Sequence, residues 1–253
     1  MLTKPSQWPA GYGLHRRTEV DSTLNEAARI APGLTMPTWI LADHQSAARG
    51  RRGRAWIAPK GNLAATLVMR PQGSIDQIAL RSFVAALALF DALVAVSGRA
   101  DGLALKWPND VLLNGGKLAG ILLESAGQGG GAEYLAVGIG VNLAQAPRPD
   151  DVEERAVHPV SLLSETGTAI GTEDFLTELA SAYAFHEERF VTYGFEPTRT
   201  TWLSRAARLG EVITARTGTQ ETTGTFETVD VAGNLVLRTT KGRASIPAAE
   251  IYF

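Results

Sequence analysis

The chain of 253 residues contains no cysteine, only three methionines and four histidines, and its formal net charge is only −2. Without cysteine it can form no disulfide, no thiolate metal site and no cysteine nucleophile. The small net charge excludes a global basic field that would attract nucleic acid, so any anion site must be local. The histidines are scattered without metal-ligand spacing, and there is no Gly-x-Ser-x-Gly nucleophile elbow.

The sequence also lacks a continuous apolar run of the roughly 18 residues that cross a bilayer. Its first five residues, Met-Leu-Thr-Lys-Pro, contain no apolar signal core. We therefore expect a cytoplasmic protein that binds neither membrane nor nucleic acid. The length is sufficient for one large domain, or for one domain with a small appendage.

Hydrophobic patterning divides the chain into an α+β body, residues 1–207, and an all-β tail, residues 208–253. The predicted body is a mixed, largely antiparallel sheet packed with helices, and the predicted tail is a small β-barrel. Body strands are predicted at 12–20, 38–42, 62–70, 103–107, 111–113, 117–125 and 134–143. Helices are predicted at 23–31, 76–96, 172–193 and 197–207. Tail strands are predicted at 211–215, 222–229, 235–239 and 244–246. A tight hairpin turn is predicted at Asn-Gly-Gly, residues 114–116, between the strands at 111–113 and 117–125. A further turn is predicted at 127–131 and a surface loop at 144–158.

The most basic segment is a loop that follows the second strand, Ala-Arg-Gly-Arg-Arg-Gly-Arg at residues 48–54. Arginine forks match the oxygens of phosphates and carboxylates, and glycines let the backbone approach an anion closely. On its own, the pattern fits a solvated basic loop or a nucleic-acid patch equally well. Trp56 follows the loop; it suits a planar ligand such as a nucleotide base, and a core role equally.

Two further runs carry a lysine. Lys-Trp-Pro-Asn-Asp at residues 106–110 ends a strand, and its Lys and Asp form either a structural ion pair or an anion holder beside a general base. Gly-Gly-Lys-Leu-Ala-Gly at residues 115–120 is not a P-loop, because Leu118 replaces the magnesium-binding hydroxyl residue and the first glycine is missing. Lys117 is better interpreted as a point charge directed into a cleft.

The last two runs are less specific. Gly-Ile-Gly-Val-Asn at residues 138–142 lacks the third glycine and the following helix of a dinucleotide site, so close packing on a strand explains its glycines better. Asp-Ser-Thr-Leu-Asn-Glu at residues 21–26 is typical of a helix N-cap, with Asp21 or Ser22 as the candidate capping residue. Its hydroxyls and amide also suit the polar head group of a ligand.

Taken in order over nearly the whole chain, these segments resemble the biotin protein ligases, in the monofunctional form without a DNA-binding domain. The resemblance implies a catalytic domain related to class II aminoacyl-tRNA synthetases, followed by an SH3-like barrel. It implies that biotin and Mg-ATP give biotinyl-5′-AMP and pyrophosphate. A lysine of a biotin carboxyl carrier protein then takes the biotin; this partner would be an acetyl-CoA carboxylase subunit or another biotin-dependent carboxylase.

The resemblance also implies roles for individual residues. Those implied to bind biotin are Ser22, Thr23, Leu24, Gln45, Arg49, Gly50, Arg51, Lys117 and Gly120. Those implied to bind ATP or the adenylate are Arg49, Arg51, Arg54, Trp56, Asn109, Lys117 and Asn142. The implied catalytic residues are Lys117, Arg51 and Asp110, with Asp110 as base or orienter for the incoming lysine. No protein ligand for a metal is implied, and Mg²⁺ arrives with ATP.

Two positions depart from the family pattern. Ala48 stands where the family has glycine, so the backbone there must avoid positive φ. Leu24 separates Thr23 from Asn25 where the family has Ser-Thr-Asn, so either Leu24 replaces the amide or the helix start shifts by one residue.

Four alternatives fit the sequence less well. A lipoate or octanoate ligase of the same fold is the nearest, but the arginine loop and the Lys-Trp-Pro-Asn-Asp run favour biotin. Octanoyl transferases of the superfamily need a cysteine nucleophile. A biotin-sensing repressor needs an N-terminal helix-turn-helix, whereas the catalytic pattern begins here within the first twenty-odd residues. A plain nucleic-acid-binding protein needs more positive charge. The oligomeric state, monomer or homodimer, is left open.

Overall fold

The structure is a computed structural model that describes residues 6–127, 132–148 and 157–252. The turn predicted at 127–131 lies outside the described residues except for Gly127. The loop predicted at 144–158 is described only at its two ends.

The elements of the described residues are as follows. The strands are β1 Gly13–Val20, β2 Thr38–Gln45, β3 Leu63–Met69, β4 Leu103–Lys106, β5 Asp110–Leu113, β6 Gly116–Ala126, β7 Tyr134–Val141, β8 Val212–Thr217, β9 Gln220–Val229, β10 Leu235–Thr239, β11 Gly242–Ile246 and β12 Glu250–Tyr252. The helices are α1 Thr23–Ile30, α2 Ile75–Ala79, α3 Arg81–Ser97, α4 Leu162–Thr166, α5 Thr172–Tyr193 and α6 Phe195–Ser204.

The first seven strands form one mixed sheet in the order β1-β2-β3-β7-β6-β5-β4. The β1–β2 pair is parallel and every other neighbouring pair is antiparallel, which confirms the predicted largely antiparallel sheet. The predicted hairpin between β5 and β6 is also confirmed. Asn114 and Gly115 both have positive φ, 50° and 81°, as a two-residue turn of this type requires.

The two faces of the sheet differ because side chains alternate along each strand. On β7, Val137, Ile139 and Val141 point into the main core, where α3 and α5 pack. Gly138 and Gly140 therefore lie on the opposite face, the one that also carries α1. A groove lined by glycines can form there because these positions have no side chain to fill it.

The core helix is interrupted, contrary to the prediction of one helix over residues 76–96. At Leu80 the helical hydrogen bond spans three residues instead of four, because the Phe83 N–H donates to the Leu80 carbonyl. Leu80 is therefore the boundary between α2 and α3. By length and composition, Ile75–Ser97 is apolar enough to cross a membrane, although none of its continuous apolar runs reaches about 18 residues. However, 72% of its most apolar window is buried inside the protein, as in the core helix of a globular domain.

Other boundaries also differ from the predictions. Helix α6 begins at Phe195 and ends at Ser204 instead of spanning 197–207, because the chain beyond it pairs with β4. The Leu105 N–H bonds the Arg205 carbonyl, and the Ala207 N–H bonds the Leu105 carbonyl, each at 2.8 Å. The short helix α4 and the last strand β12 were not predicted.

The last five strands form an antiparallel sheet in the order β11-β10-β9-β8-β12, as expected for the predicted small barrel. This sheet is attached to the body by backbone carbonyls. The Trp107 Nε1–H donates to the Gly233 carbonyl at 3.0 Å, and an Arg199 Nη donates to the Val229 carbonyl at 2.9 Å. The attachment places β12 beside the glycine-lined face of the large sheet.

Candidate active site

One cavity of about 510 Å³, a size typical of small-molecule sites, lies on the α1 face of the sheet. It is closed by the start of α1, the arginine loop, the β4–β5 turn and β12. All of the predicted site residues line it: Ser22, Thr23, Leu24, Gln45, Arg49, Gly50, Arg51, Arg54, Trp56, Asn109, Asp110, Lys117, Gly120 and Asn142. The structure thus brings together residues from five separate segments of the chain.

One end of the cavity carries a cluster of polar side chains, Ser22, Thr23 and Gln45, of which the first two are buried. Strands β1 and β2 are parallel, and Val20 pairs with Gln45, so the residues that follow β1 meet the end of β2. Gln45 Oε1 accepts from the Thr23 N–H at 2.8 Å and from the Thr23 hydroxyl at 3.1 Å, and Thr66 donates its hydroxyl to Thr23. Strand β2 runs to Gln45, three residues beyond the prediction, and this extension places the glutamine in the cavity.

The start of α1 resolves the departure at Leu24. The helix begins at Thr23, and the Ser22 hydroxyl caps it by accepting from the Leu24 N–H at 3.2 Å, so the helix start is not displaced. Leu24 is buried, and a Cβ added at Gly138 would lie only 3.0 Å from it. Leu24 is therefore an apolar wall, whereas Asn25 points elsewhere and bonds Asp21 and Arg49.

The arginine loop is a small hairpin. The Gly50 N–H bonds the Arg54 carbonyl at 2.7 Å, and the Trp56 N–H bonds the Ala48 carbonyl at 3.0 Å. Arg52 at its tip has φ 58°, a left-handed conformation. Ala48 is not among the described residues with positive φ, so its methyl group imposes no backbone strain of that kind. We call residues 48–56 the arginine hairpin.

The hairpin is held at its base and at its tip. At the base, Arg49 forms an ion pair with Glu124 at 2.8 Å. At the tip, Arg52 pairs with Glu250 of β12 at 3.2 Å, and Arg54 pairs with the same carboxylate. Arg54, expected to reach a phosphate, is thus bound here to the C-terminal sheet.

Arg51 points inward between these attachments. One of its Nη atoms lies 3.4 Å from Asn109 Oδ1 and 3.3 Å from the Ala249 carbonyl. Burial lowers the pKa of the Arg51 guanidinium, while the charge of Asp110 opposes that effect. A partly desolvated cation at this place attracts an anion more strongly than a solvated one.

Lys117 and Asp110 face each other on neighbouring strands. Lys117 Nζ lies 2.8 Å from Asp110 Oδ1, a close ionic contact without hydrogen-bond alignment. Lys106 lies opposite Asp110 in the strand register of the β4–β5 hairpin. Burial lowers the pKa of the Lys106 ammonium, and the charge of Asp110 opposes that effect. Three cationic side chains, Arg51, Lys106 and Lys117, therefore surround one carboxylate.

Trp56 lies flat over the glycines of β6 and β7. A Cβ added at Gly140 would lie 2.6 Å from its ring, and one added at Gly120 would lie 3.2 Å away. Lys117 Nζ is 5.5 Å from the ring centroid, within the range of a cation–π contact. The ring thus forms the middle wall of the cavity, next to the lysine.

Asn142 lies buried at the end of β7, and its amide is engaged by the protein. Its Nδ2 donates to the Val160 carbonyl at 3.0 Å, and Asn62 Nδ2 donates to its Oδ1 at 3.4 Å. Asn109 Nδ2 likewise donates to the Ile121 carbonyl at 2.7 Å. Both amides therefore shape the wall of the cavity as well as facing it.

Three charged residues of this cavity, Arg52, Lys106 and Glu250, were absent from the predicted site. Arg52 lies within the basic loop and Lys106 was expected as half of an ion pair or as an anion holder, so the sequence carried a signal for both. Glu250 carried no such signal, because its pairing with the hairpin depends on packing between segments almost two hundred residues apart.

Comparison with known proteins agrees with this geometry. The Biotin/lipoate A/B protein ligase family model matches residues 14–142, and the model of the biotin protein ligase C-terminal domain matches residues 209–253. A biotin–[acetyl-CoA-carboxylase] ligase of Paracoccus denitrificans is 58% identical over 233 residues, covering 92% of this chain and 97% of that protein. The bifunctional ligase/repressor BirA of Bacillus subtilis is 30% identical, over 85% of this chain and 65% of its own length.

Among solved structures, a biotin protein ligase from Aquifex aeolicus in complex with biotin and ATP aligns with a TM-score of 0.79. The identity is 26%, and the alignment covers 94% of this chain and 97% of that one. These relationships extend over both the large sheet and the small one. The chain belongs to the biotin protein ligase family.

Proposed function

We propose that this chain is the ligase that activates biotin with ATP to biotinyl-5′-AMP and transfers biotin to a lysine of a carrier protein. Biotin and ATP are its substrates, and the carrier is a biotin carboxyl carrier protein. The observation that carries the proposal is one cavity lined together by the polar cluster Ser22, Thr23 and Gln45, by Lys117 and by the arginine hairpin. The 58% identity to a biotin–[acetyl-CoA-carboxylase] ligase favours this acid over lipoate.

Biotin would enter with its ureido ring toward the polar end of the cavity. Ser22, Thr23 and Gln45 supply hydroxyl and amide groups there, and the Gln45 oxygen is already occupied by Thr23. The glutamine amide nitrogen is then the group left to donate to a ureido oxygen. Leu24 and Trp56 provide apolar walls for the rest of the molecule.

The first step forms a bond between the biotin carboxylate oxygen and the α-phosphorus of ATP, and pyrophosphate leaves. Two anions must approach each other, so fixed positive charge has to offset their repulsion. Lys117 and Arg51 line the same part of the cavity and supply that charge. Mg²⁺ enters with ATP as part of the substrate.

The adenylate is a mixed anhydride and must be kept from water. The arginine hairpin covers the cavity and is fastened at both ends, by Glu124 and by Glu250. We propose that it acts as the lid over the intermediate. The surface loop at 144–158 would also help to exclude water, and it is described only at its two ends.

In the second step the lysine amine of the carrier attacks the biotinyl carbonyl, and AMP leaves. The amine must first lose a proton, because the pKa of a free lysine is about 10.4. Asp110 lines the cavity beside Lys117 and would accept the proton or orient the amine. The carrier would be the acetyl-CoA carboxylase subunit, by analogy with the Paracoccus protein's name.

Transfer to the carrier tests this function. The protein is incubated with ATP, Mg²⁺, biotin and the biotin-carrier domain of an acetyl-CoA carboxylase, and the carrier's mass is followed. We expect the mass of one biotinyl group, biotin less one water, to be added, and no addition when the acceptor lysine of the carrier is replaced by arginine. Absence of labelling on a carrier that a known biotin ligase does label would contradict the proposal.

We expect Gly140→Ala to weaken biotin binding. The new Cβ would lie 2.6 Å from the Trp56 ring, so the ring must shift into the cavity. Overpacking of this kind costs about 1–3 kcal/mol, which corresponds to a rise of about fivefold to about a hundredfold in the KM for biotin. The control is Gly33→Ala, where an added Cβ meets no atom within 4 Å. Equal KM values in steady-state pyrophosphate assays of the two variants would disprove the placement of Trp56.

A further inference from the structure

Arg49, at the base of the arginine hairpin, is fully engaged by protein oxygens. Its Nε donates to Glu124 Oε1 at 3.1 Å and one Nη donates to Glu124 Oε2 at 2.8 Å, so the pair is bidentate. The other Nη donates to Asn25 Oδ1 at 2.7 Å. All three guanidinium nitrogens therefore bind the hairpin to neighbouring elements, two to Glu124 on β6 and one to Asn25 on α1.

Glu124 lies at the rim of the cavity because of the strand alternation. Gly120 and Leu122 on β6 line the cavity, and Glu124 follows on the same face two residues later. Asn25 lies on α1, on the other side of Arg49. The Arg49 side chain thus joins the hairpin to a strand and a helix at once.

The amide of Asn25 is oriented by a second set of contacts. Its Nδ2 donates to Asp21 Oδ2 at 2.7 Å, and Arg29 donates to the same oxygen at 2.6 Å. These hydrogen bonds, first that of Arg29 and then that of Asn25, hold the pKa of Asp21 well below its usual value. The amide oxygen is consequently left to face Arg49, in an alternating chain Arg29–Asp21–Asn25–Arg49–Glu124.

We propose that Glu124 is a positioning residue for biotin binding and adenylate retention: with Asn25 it holds Arg49, and so fixes the base of the arginine hairpin over the cavity. The inference rests on the proposed function and deepens it. The Arg49 side chain becomes a fastener, whereas Arg51 supplies charge to the ligand. The unusual Leu24-Asn25 order has a reason in this arrangement, since the amide one residue later reaches Arg49.

Glu124→Gln is the direct test. It keeps the shape of the side chain and removes the charge that makes the bidentate pair strong. We expect about a tenfold higher KM for biotin and about tenfold faster loss of preformed biotinyl-AMP, because a charge-assisted pair of this exposure contributes about one factor of ten. The single-turnover rate at saturating biotin and ATP changes less than about threefold, since the reacting groups remain.

The matched control is Glu227→Gln. Glu227 also forms a bidentate pair with an arginine, Arg243, but on the small sheet away from the cavity. We expect its KM and adenylate retention to equal those of the wild type. If Glu124→Gln lowers only the thermal stability and leaves KM and retention unchanged, the positioning role is wrong.

A double-mutant cycle shows whether Glu124 acts through Arg49. In an Arg49→Gln background, Glu124→Gln should cause no further loss of retention. Additive losses would overturn the proposal. The wild type is assayed first, and if it releases no pyrophosphate with biotin, the proposed function fails. If the wild type is active and Glu124→Gln has the same KM for biotin and the same retention of biotinyl-AMP, only the positioning role of Glu124 is refuted.

Discussion

Lys117→Ala is expected to reduce biotin-dependent pyrophosphate release by about a hundredfold to a thousandfold, the usual effect of removing one charge-stabilising group from a reaction centre. Lys117 Nζ stands beside Asp110 and above Trp56, on the part of the cavity where carboxylate and α-phosphate would meet. Without the ammonium, two anions approach with one fixed cation fewer. The pair with Asp110 is not an aligned hydrogen bond, so the lysine is available to the ligand.

The fold should survive this change, because Asp110 keeps the nearby charges of Lys106 and Arg51. Single-turnover pyrophosphate release, with thermal melting as a check on folding, measures the effect. Lys241→Ala removes an exposed lysine from the small sheet and should match the wild type. Pyrophosphate release by Lys117→Ala at a near wild-type rate would show that the lysine is not part of the reaction centre.

Arg51→Gly should let biotinyl-AMP escape about a hundredfold faster. Arg51 is the inward-pointing residue of the hairpin, and it touches Asn109 and the Ala249 carbonyl while presenting its charge to the cavity. Its loss removes a charge-assisted contact to the phosphate and a contact between hairpin and wall, together worth about 3 kcal/mol, or about two factors of ten.

Escape is measured by trapping labelled biotinyl-AMP on the protein and following its release by filtration. Arg52→Gly is the control for added backbone freedom in the same hairpin. Its φ of 58° suits glycine, and Arg54 pairs with the same Glu250 carboxylate, so the tip stays attached to the small sheet without Arg52. Similar release from Arg51→Gly and the wild type would contradict the role of Arg51; equally fast release from both glycine variants would assign the effect to flexibility.

Local features of the site were predictable because they depend on neighbouring residues. Ser22 was one of two candidate N-caps, and it caps α1 through its own hydroxyl. Close packing was predicted for the two glycines of the Gly-Ile-Gly run, and Gly138 packs against Leu24 while Gly140 packs against Trp56. The turn at Asn114 followed from the rule for two-residue hairpins.

Features that depend on distant segments were not predictable. Glu124 and Glu250 pair with the hairpin only because β6 and β12 pack beside it, and no local pattern marks either glutamate. The break at Leu80 and the early end of α6 have the same origin. Packing and strand pairing there override a helical pattern that continues along the sequence.

The central claim is that this cavity activates biotin, and one measurement tests it most directly. The protein is incubated with Mg-ATP and, separately, with biotin, lipoate or octanoate, and pyrophosphate release is recorded against acid concentration. We predict release that depends on biotin, saturates, and falls by about a hundredfold to a thousandfold in Lys117→Ala. Release driven equally by lipoate or octanoate, or none with biotin, would contradict the account.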